Sequence, residues 1–93
     1  MRKWSDAMFW NTINENSNLF SMIYGYAPNI VYMNRKFYNG LENEIYGYQL
    51  SFLIKENRIR GLEVRIDDNV DIIVICSKYT DDKIVVTEYS KKR

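Results

Sequence analysis

The chain has 93 residues, 46% hydrophobic and 27% charged, a length and composition that suit one globular domain and leave no room for a catalytic domain plus a regulator. Thirteen Lys and Arg against twelve Asp and Glu leave a net charge of +1, which argues against a basic nucleic-acid coat and against an acidic mimic of DNA. There is no histidine, so Ser-His, Cys-His and His-zinc chemistry are excluded.

The first elements read as helix. Ser5 suits an N-cap, Asp6 suits the first turn, and Met8, Phe9, Trp10 and Ile13 form an apolar stripe. The polar run Asn14 to Asn18 predicts an end to that helix. A second short turn follows over Leu19 to Tyr24, stopped by Gly25, and Ala27-Pro28-Asn29 breaks the chain. Residues 1–27 thus form a helical segment of a single domain spanning 1–93.

From residue 29 to 90 the apolar residues alternate, which predicts an antiparallel sheet; residues 91–93 are a basic tail. Asn39-Gly40 is a strong type I′ hairpin signal, and the register it implies puts Met33 across from Tyr46 and Val31 across from Tyr48. The competing reading is a helix over Arg35 to Tyr46, capped by Asn34 and ended by Gly47, with Gly40 costing about 1 kcal/mol. The meander continues through Tyr46 to Ile54, a turn at Glu56 to Arg58, and a strand over Leu62 to Ile66. The run Val70 to Tyr79 is apolar on both faces and reads as central, and Ile84 to Tyr89 is the last strand. The expected fold is α+β: an N-terminal helical segment packed on a four- to five-stranded antiparallel β-meander.

Little catalytic chemistry is legible. Asp67, Asp68 and Asp71 lack the spacing of a calcium loop, the glycines form no phosphate cradle, and Glu63-Val64-Arg65 has arginine where a nuclease motif needs lysine. Cys76 lies in an apolar run and reads as a buried small hydrophobe. No catalytic residue, metal or cofactor is expected, and the chain reads as a non-enzyme. No signal peptide or membrane span is visible, and a single cysteine fits a reducing compartment, so a cytoplasmic location is expected.

Surface occupation is the function that remains. Aromatic residues crowd the helical segment beyond what one helix face can bury, so some should be exposed as contact anchors, Tyr24 and Tyr26 first among them. Arg58 and Arg60 are further candidate partner contacts. Val85 is another, because Ile84 to Thr87 reads as an edge strand with charges only at its flanks and no proline to block a neighbour. A homodimer, or a protein partner adding to this edge, is expected; direct nucleic-acid binding is not, unless Arg35, Lys36, Arg58, Arg60 and Arg65 align on one outer face.

In size, in its bias toward Asn, Ile and Tyr, and in its helix-plus-meander layout, the chain resembles small accessory proteins of phages and mobile elements from AT-rich Gram-positive bacteria. These include inhibitors such as anti-CRISPR proteins. The resemblance carries no family motif and transfers no residues; it implies an inhibitor that blocks a host protein or nucleoprotein complex. The rival readings are a toxin-type RNase using Arg58, Arg60 and Tyr79, and a phage structural or assembly subunit.

Overall fold

The computed structural model describes residues 7–47, 54–55 and 57–90. In chain order these form α1 (Met8–Tyr24), β1 (Ile30–Met33), α2 (Arg35–Gly47), β2 (Ile54–Lys55), β3 (Arg58–Ile59), β4 (Leu62–Ile66), β5 (Ile73–Cys76) and β6 (Lys83–Val86). The fold is α+β with an N-terminal helix, as the sequence predicts. The sheet has the order β2-β3-β4-β1-β5-β6 and is mixed rather than a pure meander.

Helix α1 is continuous where the sequence suggested two pieces. The polar run at 14–18 does not end it: within the run the Asn16 amide donates back to the Thr12 carbonyl (2.8 Å), and just beyond it the Ser21 hydroxyl donates to the Ser17 carbonyl (3.2 Å). Gly25 ends it in the left-handed region (φ 79), donating to Ser21. The proposed cap residues Ser5 and Asp6 lie outside the described residues. The N-cap position is Ala7, which has no capping side chain; Glu44 of α2 supplies the acceptors instead, taking the N–H of Phe9 (3.2 Å) and of Trp10 (2.8 Å). A buried carboxylate at a helix N-terminus also meets the favourable end of the helix dipole.

The hairpin at Asn39-Gly40 does not form; α2 occupies that stretch. Asn34 caps it, accepting the Phe37 N–H (2.6 Å), while the Asp68 carboxylate accepts the Arg35 N–H (2.8 Å). Phe37, Leu41 and Ile45 recur at helical spacing and are buried. Gly40 is a point of close approach between the helices: the Phe9 ring of α1 lies over it, and a Cβ there would stand 2.6 Å from Cε1 and 2.9 Å from Cε2. The residue that signals a turn locally is thus used to let two helices touch.

With α2 in place, β1 cannot pair with residues 46–48. Its neighbours are β4, in parallel, and β5, antiparallel. A parallel pair requires a crossover, and α2 with the β2–β3 hairpin provides it. Of the strand expected over Tyr46 to Ile54, residues 48–53 lie outside the described residues, and Leu62 pairs with Ile59. The two-residue connection between them is Arg60-Gly61, both at positive φ (51 and 77), as a primed hairpin turn requires.

Both helices join the core on one face of the sheet, where Ile13, Phe20, Phe37, Leu41 and Ile45 meet Val31, Met33, Ile73, Ile75 and Val86. The opposite face carries Tyr32, Glu63, Arg65, Val74 and Val85, which alternate with those core residues along their strands. Where long strands were expected over Val70 to Tyr79 and Ile84 to Tyr89, the sheet has two four-residue strands, Ile73–Cys76 and Lys83–Val86, the flanking residues being bends and loop.

Candidate functional site

Strand β6 is an edge of the sheet, as read from the sequence, and its free side can be worked out residue by residue. In antiparallel pairs the hydrogen-bonded and non-bonded positions alternate. The Ser77 N–H donates to the Asp82 carbonyl (3.3 Å), which makes 77 and 82 a bonded pair. By alternation Ile84 and Val86 turn their backbone groups toward β5, and Lys83, Val85 and Thr87 turn theirs outward. The other side of β5 agrees: Asn34 N–H bonds the Ile72 carbonyl, so 72, 74 and 76 face β1 and 73, 75 and 77 face β6.

The outward groups at the two ends of this edge are held by α1. The Tyr24 hydroxyl donates to the Lys83 carbonyl (3.1 Å). Beyond Thr87 the chain bends onto α1, where the Ser90 N–H bonds the Thr12 hydroxyl (2.9 Å) and its own hydroxyl bonds Glu15 (2.8 Å). Between these clamps Val85 and Thr87 turn their N–H and C=O groups outward, with no backbone partner among the described residues, and Val85 is 55% exposed.

Beside this stretch runs an open groove of about 650 Å3, with Leu19 and Met22 of α1 on one wall and Val85, Thr87 and Tyr89 on the other. Met22 is 82% exposed and Ile23, next to it, is also exposed. Helix α1 therefore has two apolar aspects: Ile13, Phe20 and Tyr24 toward the sheet, and Leu19, Met22 and Ile23 away from it. An edge with unpaired backbone groups next to an apolar trough is the geometry that receives an added strand.

The other candidate residues fall elsewhere. Tyr24 and Tyr26 both make internal contacts, and Tyr26 remains 36% exposed. Their rings pack on Phe20 at 4.6 and 5.4 Å, and the Tyr26 hydroxyl bonds Thr80 (2.6 Å) and Asp82 (2.7 Å), pinning the end of α1 to the β5–β6 loop. Arg60 lies in the β3–β4 turn and donates to Asn18 of α1 (2.7 Å). Arg58 projects from β3 on the face away from the helices, across from Glu63. Arg35 and Lys36 start α2 on the helix layer, so the five basic residues weighed as one stripe do not align. Leu19 and Met22 as a groove wall were not singled out by sequence; the signal was an apolar surplus on α1 beyond one face.

The acidic turn serves the fold: Asp68 caps α2, and Asp67 accepts the Asn69 N–H (2.9 Å). Among the described residues no group of three Cys, Asp or Glu is arranged to hold a metal ion. Burial pushes the Cys76 thiol up, against the smaller opposing influence of Arg65 and Lys83. Among the described residues no helix is long and apolar enough to cross a membrane. No protein family, no curated protein and no solved structure matches the chain.

Proposed function

We propose that this chain is a non-enzymatic interaction protein that takes an extended segment of a protein partner as a seventh strand beside β6. The observation that carries this reading is the pair of outward backbone positions, Val85 and Thr87, exposed between two clamps and flanked by the Leu19–Met22 groove. An added strand would hydrogen-bond both residues, each bond contributing about 0.5–1.5 kcal/mol net. Its alternate side chains would fill the groove and give specificity. The biological role that follows is inhibition by occupancy, in keeping with the resemblance to small phage and mobile-element inhibitors of host complexes, within a cytoplasmic setting.

A second copy is the second reading. It is favoured by Leu19, Met22 and Ile23, because antiparallel pairing of β6 with its own copy would bring the two α1 helices together over the joint. Light scattering separates the two: a monomer at high concentration leaves the edge for a different protein. The direct test is selection from a random peptide library. Enriched peptides should be rich in β-branched residues, and Val85→Pro and Met22→Glu should each abolish their binding while the fold persists. Peptides that bind both variants as well as the parent would overturn the reading.

A further inference from the structure

The sheet face turned away from the helices has a charge that the whole chain does not. Residues directly across paired strands share a face, so the register defines two rows: Arg58, Glu63, Ile30, Cys76 and Lys83, and beside it Arg65, Tyr32, Val74 and Val85. Lys78 lies just beyond the end of β5, near enough for its charge to act on Glu63. The Glu63 carboxyl is held below its usual range first by a hydrogen bond from Arg65, then by the charges of Arg65, Lys78 and Arg58. Together these positions hold four cations and one carboxylate. Several acids are engaged away from this face: Glu44 at the start of α1, Asp68 at the start of α2, Glu15 on Ser90, and Asp82 of the β5–β6 loop on Tyr26.

The centre of this face is aromatic. Tyr32 stands on β1 with the Arg65 guanidinium carbon 5.9 Å from its ring centroid, and its hydroxyl accepts from Arg65 (3.3 Å). At the rim Tyr79 is 79% exposed, with the Lys78 ammonium 5.6 Å from its ring centroid. Ile30 in the middle of the first row is itself covered (2% exposed), so the available groups are the ring and cations around it. Such rings paired with cations suit unstacked bases and phosphates, whereas an acidic peptide would use the charges alone. The row from Arg58 to Lys83 crosses five strands at about 4.8 Å each, roughly 19 Å, the reach of a few nucleotides.

We propose that this face binds single-stranded nucleic acid, its bases stacking on Tyr32 and the Arg65 guanidinium and its phosphates meeting Arg58, Lys78 and Lys83. The +1 total conceals the site because it sums these cations with acids that stand elsewhere in the fold. The site does not rest on the β6 groove; the two together would suit a partner that is itself a nucleoprotein.

The test is fluorescence anisotropy with labelled oligothymidylate and oligouridylate of about twelve nucleotides. Three or four neutralised phosphates at a slope of about −0.7 each predict a loss of roughly 20- to 50-fold between 50 and 200 mM salt. Reversing two exposed cations together, Arg58→Glu with Lys83→Glu, should weaken binding at least about tenfold with melting unchanged. Tyr32→Leu keeps apolar bulk and should weaken binding by about five-fold or more while leaving the salt slope alone. If Tyr32→Leu does not fold, Arg65→Lys keeps the charge and removes the plane, and should show the same pattern. Met22→Glu, in the groove, should have no effect, so this site and the strand-docking reading fail separately. No binding at low salt, equal binding to duplex or to polyglutamate, or indifference to the charge reversals would overturn the proposal.

Discussion

Gly40→Ala sets two sizeable effects of opposite sign against each other. In an exposed helix interior the substitution stabilises by about 0.8–1 kcal/mol, because alanine loses less backbone entropy on folding. Here the added methyl would overlap the Phe9 ring, 2.6 Å from Cε1 and 2.9 Å from Cε2. The ring has nowhere easy to go: it stands edge-to-face on Phe37 at 5.2 Å and on Tyr89 at 5.5 Å. Forcing a methyl into such a contact costs about 1–3 kcal/mol, and losing the two ring pairs costs about 0.5–1.5 kcal/mol each. The overlap wins, with a net destabilisation of about 1–5 kcal/mol, each kcal/mol of which lowers Tm by roughly 4–8 °C in a domain of this size. Urea titration followed by circular dichroism measures it. The decisive comparison is the Phe9→Ala background, where the overlap is gone and Gly40→Ala should become stabilising by up to about 1 kcal/mol. If Gly40→Ala costs the same in both backgrounds, Gly40 serves its own backbone, as in a hairpin, and the helix contact is not the reason for glycine.

Glu44→Ala should destabilise by about 1–3 kcal/mol, since it uncovers two buried N–H groups at the start of α1; Glu44→Gln, which keeps an acceptor, should cost less in the same urea titration. Ser17→Ala should stabilise by about 1 kcal/mol, because the Ser17 hydroxyl is buried with no hydrogen-bond partner and alanine is the better helix former; an unchanged or lower Tm would contradict this. Cys76 should alkylate more slowly than an unfolded thiol at neutral pH, because burial raises its pKa and so lowers the thiolate fraction. Its rate should still climb above about pH 8.5, the usual thiol midpoint, and a rate already level there would show an ordinary thiol.

What the sequence disclosed divides along the line between local and distant causes. The edge character of β6 is local, written in Ile84-Val85-Val86-Thr87 and in the absence of proline, and it was readable. The cap of α2 at Asn34 and its apolar spacing at Phe37, Leu41 and Ile45 were also local, but they competed with Asn39-Gly40, and the winner was decided by Phe9, thirty-one positions away. The run 14–18 looked like a helix end because each residue alone prefers a cap or turn; Asn16 and Ser21 bond back into the helix, and packing of α1 on the sheet does the rest. Nothing within β4 signals that it pairs in parallel, since Leu62-Glu63-Val64-Arg65-Ile66 alternates as an antiparallel strand does, and β1, four residues long, is too short to decide it. Arg60-Gly61 was a missed local signal, a glycine between two buried residues, Ile59 and Leu62. For the candidate site, Val85 was legible and the groove was not, because its second wall belongs to α1. The charged sheet face was hidden for the same reason: composition sums charges that the fold separates.

The central claim is that Val85 and Thr87 hold an open backbone edge, and amide hydrogen exchange followed by NMR reads it one residue at a time. In the free protein Ile84 and Val86 should be protected by their bonds to β5, while Val85 and Thr87 exchange quickly, an alternating pattern along one strand. On saturation with a selected peptide, Val85 and Thr87 should slow to match their neighbours. Protection of Val85 and Thr87 already in the free monomer, or fast exchange that persists at saturation, would contradict the account.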